Sequence, residues 1–136
     1  MSYKATKIFY LCIALLLCTP ALAQQKSPAE AEKEMYEYIE KEVERLTLSL
    51  DLNIAQVFWV DSILTYNYGA LQKELAAMNH SKVSNSDLYY SVQDKWMEAT
   101  YVAMERILDE EQWAKYLKAG AARDKKTRDK RAAKRK

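Results

Sequence analysis

After residue 23 the chain contains one proline, Pro28, and two glycines, Gly69 and Gly120, in the remaining 113 residues. Glycine and proline are the strongest local breakers of regular structure, so their scarcity commits the chain to long helices. No segment keeps an apolar alternation of period two between turn residues, and strands therefore have no signal. The prediction is an all-α fold.

The helices are placed by their caps and apolar periods. Ser27 with Glu30 makes a capping box, and Pro28 takes the first helical position, where its missing N–H costs nothing. Met35, Ile39, Val43, Leu46 and Leu50 then share one face, opposite Glu30, Glu37, Glu40 and Glu44. A second helix is expected from Asn53 to about Met78, with Gln56 completing the box on Asn53. Its buried stripe is Val57, Val60, Leu64, Leu71, Leu75 and Met78, and Phe58 and Trp59 lie off the centre of that stripe.

Residues 79–82 read as a loop. The third helix is expected to start near Ser84, with Asp87 in the reciprocal capping position, and to reach Leu108. Val92, Trp96, Ala99, Ala103 and Ile107 form its expected inner stripe; Tyr89, Tyr90, Met97, Tyr101 and Met104 form a second band. A short fourth helix opens at Asp109 and includes Trp113, Tyr116 and Leu117, after which Gly120 offers a stop or hinge. Residues 121–136 hold no large apolar side chain and are expected to be a solvated helix or a disordered arm.

The first 23 residues carry the marks of a cleaved signal peptide. Lys4 and Lys7 precede an apolar run of 11 residues, 8–18, and Ala21-Leu22-Ala23 offers a cleavage site before Gln24. The run is shorter than the roughly 20 residues a membrane-spanning helix needs. Lipidation at Cys18 is disfavoured because Leu17, the residue before it, is not small. The expected organisation is a signal over 1–23, a helical domain over 24–120 and a basic tail over 121–136, with export to the periplasm.

Cleavage would remove both cysteines, Cys12 and Cys18, and with them disulfides, thiol catalysis and thiolate metal sites. It also leaves 19 basic and 19 acidic side chains, a balance that conceals a strong asymmetry. Residues 24–117 carry 9 basic and 17 acidic side chains, whereas residues 118–136 carry 10 basic and 2 acidic. The tail residues Lys125, Lys126, Arg128, Lys130, Arg131, Lys134, Arg135 and Lys136 are candidate contacts for an anionic surface such as phospholipid headgroups or lipopolysaccharide. Nucleic acid is set aside as a partner because the signal peptide removes that setting.

Catalytic chemistry has no foothold. His80 is the only histidine and has neither a cysteine nor a second histidine near it in sequence, so neither a metal nor a cofactor is expected. Glu110 and Glu111 are adjacent and diverge on a helix, and no histidine is placed to activate a serine. The chain is expected not to be an enzyme. Eight tyrosines and three tryptophans after residue 23 exceed what a thin helical monomer can bury. Trp59, Tyr66, Tyr68, Tyr89, Tyr90, Met97, Tyr101 and Met104 are accordingly candidate contacts for clients or partners.

One pattern occurs twice: Leu52-Asn53-Ile54-Ala55-Gln56 and Leu108-Asp109-Glu110-Glu111-Gln112. Each copy opens a helix with a leucine, a capping residue, two variable positions and a glutamine that returns a bond to the cap. The pair, 56 residues apart, resembles the LTxxQ motifs of the Spy/CpxP family of small periplasmic helical proteins, over roughly residues 28–118. Asn53 and Asp109 stand where the family has threonine, and both cap helices as well as threonine does. The resemblance implies a curved antiparallel dimer of helical hairpins, and a function in envelope protein quality control. Family members include an ATP-independent chaperone for unfolded proteins and an accessory protein that restrains a stress-sensor kinase. A structural envelope component held to an anionic surface by its tail is a third possible role for this chain.

Overall fold

A computed structural model describes residues 27–135. Residues 1–26, with the expected signal peptide and with Cys12 and Cys18, lie outside the described residues, as does Lys136. The fold is all-α: α1 (Pro28–Leu50), α2 (Ile54–His80), α3 (Ser86–Ile107), α4 (Glu110–Tyr116), a wide turn at Leu117–Ala121, and α5 (Ala122–Lys134). Among the described residues there is no strand.

The caps act where the sequence places them, with one exception. Ser27/Glu30, Asn53/Gln56 and Asp109/Gln112 each form a complete reciprocal box at the start of α1, α2 and α4. The start of α3 is displaced from Ser84. Asn85 takes the cap and accepts the Asp87 N–H at 2.9 Å, so Asp87 falls one position short of the reciprocal place. Asparagine reaches a backbone N–H two residues ahead without strain, and it outcompetes the serine before it.

Short connections force successive helices antiparallel. Tyr38 meets Tyr68 across α1 and α2, Asn67 meets Thr100 across α2 and α3, and Arg128 meets Glu98 across α3 and α5. The apolar core joins Met35, Ile39, Leu46 and Leu50 of α1, Val60 and Leu64 of α2, Met104 of α3, and the linker residues Leu52 and Leu108. Each of these buried side chains contributes roughly 1.5–3 kcal/mol. Trp113 and Tyr116 of α4 close the core from the side. The other end of the α2–α3 hairpin is held by polar contacts: Trp96 Nε1 and Lys95 Nζ donate to Glu74 at 2.8 and 2.9 Å.

One expectation is corrected and a second is narrowed. The innermost line of α3 is Asp94, Thr100 and Met104, while Val92, Trp96, Ala99, Ala103 and Ile107 are half-buried. The buried face is turned by about a third of the helix circumference, because α3 is covered on one side by α2 and on the other by α5. The second concerns α5. Residues 122–134 form a helix, one of the two expected alternatives, with most of its residues exposed; it is laid back along α3 through Arg128 and Arg131.

Candidate functional site

The two repeated motifs meet. Gln56 Nε2 donates to Gln112 Oε1 at 2.6 Å and to the Ile107 carbonyl at 3.0 Å. Gln112 Nε2 donates to Gln56 Oε1 at 3.0 Å and to the Asp51 carbonyl at 3.4 Å. Each Oε1 also accepts its own cap's backbone N–H, from Asn53 and from Asp109, both at 3.1 Å. Both N–H groups of each amide are used and each oxygen accepts two bonds, so no group is left to recruit a ligand. Every bond has a counterpart 56 residues away, which makes the node locally two-fold. The sequence assigned these glutamines to capping alone; the equal spacing of the copies was the one hint of their pairing. Leu52 and Leu108 are buried beside them. The node is a structural clamp.

A chemically different surface lies on the outer face of α2. Ile54 is 91 % exposed, Phe58 62 %, Trp59 54 % and Tyr66 70 %. They point away from Val60, Leu64 and Leu71, which face the core. Phe58 and Trp59 pack edge to face at 5.3 Å, and Tyr66 meets the edge of Trp96 at 6.2 Å. Lys95 lies 4.7 Å from the Trp96 ring centre. Ile54 and Phe58 were not among the sequence-derived contacts. Ile54 occupies a variable motif position and Phe58 reads as lying off the centre of the apolar stripe, so only the helix's actual rotation shows how far they are exposed.

The remaining sequence candidates scatter. Tyr68 is half-buried with its hydroxyl 3.3 Å from that of Tyr38, and burial followed by this hydrogen bond pushes its pKa upward. Tyr89 is also half-buried, its hydroxyl 2.9 Å from Asn79 Oδ1 and 3.0 Å from the Val83 carbonyl, and it ties down the α2–α3 loop. Met104 is fully buried in the core and presents nothing to a partner, which corrects its assignment as a contact residue. Met97 and Tyr101 line a cavity of about 220 Å³ beneath the bend, together with Tyr38, Tyr68 and Tyr116. Charged groups at its rim pair with one another, Glu42 with Arg45 and Arg123 with Asp124.

The basic residues divide into two rows. Arg131 grips Asp94 through Nε at 3.0 Å and through Nη2, and Arg135 Nη2 reaches the same carboxylate at 3.0 Å. Arg128 donates to Glu98 at 3.1 and 3.2 Å, and Lys125 lies 3.4 Å from that side chain. The Arg131 guanidinium sits 5.5 Å from the Tyr90 ring centre, and that of Arg128 5.6 Å from Tyr101. Burial raises the Asp94 pKa, but the bonds from Arg131 and Arg135 outweigh it and hold the carboxyl below its ordinary value. Arg123, Lys126, Lys130 and Lys134 face outward and are exposed. The inner row is mainly arginine, suited to forked carboxylate bonds, and the outer row mainly lysine.

Among the described residues, no cluster of three or more His, Cys, Asp or Glu is placed to hold a metal ion, and no helix is long and apolar enough to cross a membrane. No family model, curated protein or solved structure matches this chain.

Proposed function

We propose that this chain is a periplasmic, Spy/CpxP-like protein that captures unfolded envelope proteins without ATP. The observation that supports this most is the outer face of α2, where Ile54, Phe58, Trp59 and Tyr66 are exposed on one helix; Leu48 of α1 and Leu88 of α3 are exposed elsewhere. Side chains of this kind gain free energy against almost any apolar segment, so capture is broad and each contact weak. Nearby charges, Lys95 and the acidic face of α1, speed encounter with oppositely charged segments of a client. In this reading the paired motifs serve to hold the helices that present this face.

The test is suppression of aggregation of several unrelated denatured proteins at near-stoichiometric ratios. Protection is expected, and it should fall severalfold in a Phe58→Ser/Trp59→Ser/Tyr66→Ser variant of unchanged helicity. No protection of any client would reject the proposal. A single saturable partner from envelope extracts, with no general protection, would identify a regulatory role instead.

The outward row Arg123, Lys126, Lys130 and Lys134 favours a second reading, attachment to an anionic surface. Vesicles containing anionic lipid should bind the chain in a salt-sensitive way. The slope of log affinity against log salt should reflect the outward cations rather than all ten basic side chains of residues 118–136.

A further inference from the structure

Of the residues around the bend between α4 and α5, Gly120 alone is non-helical, with φ 137° and ψ −19°. Tyr116, Leu117, Ala121 and Ala122 all have right-handed helical dihedrals, and the flanking sequence is rich in alanine and lysine, good helix formers. If Gly120 adopted helical dihedrals, residues 110–134 would run as one straight helix. α5 would then leave its own α3. What it would vacate is a patterned surface: Tyr90, Asp94, Glu98 and Tyr101 form two successive arginine cradles, each a carboxylate beside a tyrosine ring.

We propose that Gly120 is a two-state hinge, and that the cradles on α3 are an exchange surface whose partner is α5 of a second copy. In the bent state, Arg128 and Arg131 of the same chain fill the cradles. In the straight state the arginine face of α5 projects away and fills the cradles of a second chain, which returns its own α5 in a closed, two-fold exchange. The complementarity needed is already displayed within one chain, since each copy carries the same arginine spacing and the same cradles. α5 has no apolar side chain larger than alanine, so its hold on α3 rests on ion pairs and cation–ring contacts that exchange without opening an apolar core. The bent state wins at low concentration because the tether gives α5 an effective concentration on the order of millimolar at its own cradles.

Gly120→Ala is a direct test, made in the chain from Gln24 to Lys136. An added Cβ would meet only Arg123 Nη2, at 3.7 Å, so the substitution acts through the backbone and not through a clash. Alanine favours the helix and disfavours positive φ. The straight state should gain at least about tenfold, with self-association tightening by a similar factor in sedimentation. Adding Arg128→Glu/Arg131→Glu/Arg135→Glu should abolish that gain. A Gly120→Ala chain with unchanged self-association overturns the proposal, whether its tail is docked or free. So does a gain that survives the three arginine replacements.

Charge exchange gives an independent arm that does not depend on the hinge. A tagged Asp94→Arg/Glu98→Arg chain should retain an Arg128→Glu/Arg131→Glu/Arg135→Glu chain at least about tenfold better than it retains a copy of itself, since only the mixed pair matches in trans. Equal retention overturns the proposal. Far-ultraviolet circular dichroism establishes that each variant is folded. A dimer formed through another surface, as the family resemblance implies, raises both retentions alike. Client protection by α2 is read in a different assay, so either idea can fail alone.

Discussion

The motif end of the molecule and the seam between α3 and α5 hold helices together by opposite means. The motif end holds Leu50, Leu52 and Leu108 of the apolar core, and two glutamines whose side-chain polar atoms are all bonded within the protein. At the seam, α5 supplies alanines, charges and one threonine, and its neighbours are two carboxylates and two tyrosine rings. Apolar packing is insensitive to salt and costly to disturb at any point. Ion pairs at a partly wet seam are weakened by salt and can be broken one at a time. The difference predicts a molecule with one permanent end and one releasable element.

The largest expected effect belongs to the permanent end. Met104→Ala empties a fully buried position and should lower unfolding free energy by about 2–5 kcal/mol. Denaturation at low salt and at about 1 M salt should give the same loss; a strongly salt-dependent loss would break the contrast between the two regions. Next come the glutamines. Gln56→Ala leaves Gln112 with an unmatched donor and acceptor, and the reverse substitution does the same. Each should cost about 1–3 kcal/mol, and the double variant should cost clearly less than the two losses added. Strict additivity in that cycle would show that the bonds between the amides contribute nothing.

The permanent end was the more legible in sequence. Capping boxes are local and have a fixed spacing, so Ser27/Glu30, Asn53/Gln56 and Asp109/Gln112 could be read directly, and the α1 stripe followed from its period. The fate of residues 121–135 could not be read the same way. An arginine-rich helix without apolar residues looks identical in sequence whether water or a carboxylate solvates it, and Asp94 and Glu98 lie 30 or more residues away. Likewise, α3 lies between α2 and α5, with Met104 inward in the core and Trp96 half-buried. On the outer face of α2, the exposure of Ile54 and Phe58 depends on which side the neighbouring helices take. Helical period alone does not decide that when apolar residues surround the helix.

At the seam, Asp94→Asn removes the charge that Arg131 and Arg135 share. Trypsin cleavage within α5 should accelerate by about tenfold, the equivalent of roughly 1.4 kcal/mol, while the main unfolding transition moves little. The pH dependence has a definite sign. The folded pKa of Asp94 is depressed, so its stabilising contribution is complete above the unfolded value of about 3.9 and is lost as pH falls through the folded value. Cleavage protection should therefore be flat from about pH 8 to pH 5, and a protease active in acid should find α5 opening only below about pH 4. Loss of protection between pH 5 and pH 7 would show that another group holds the helix.

The smallest stability effect expected is that of the outward lysines, and its smallness is informative. Lys126 and Lys130 are exposed and turned away from α3. Lys126→Ala/Lys130→Ala should change unfolding free energy and tail protection by no more than about 0.5 kcal/mol each. Alanine's higher helix propensity could even slow cleavage slightly. The same pair of substitutions should reduce binding to anionic vesicles, because the charges face outward where a surface would meet them. Arg128→Ala/Arg131→Ala should behave the other way round, freeing the tail and leaving the outward row intact. If both pairs weakened tail protection equally, the division between an inward arginine row and an outward lysine row would be wrong, and α5 would be held by its total charge rather than by the two cradles on α3.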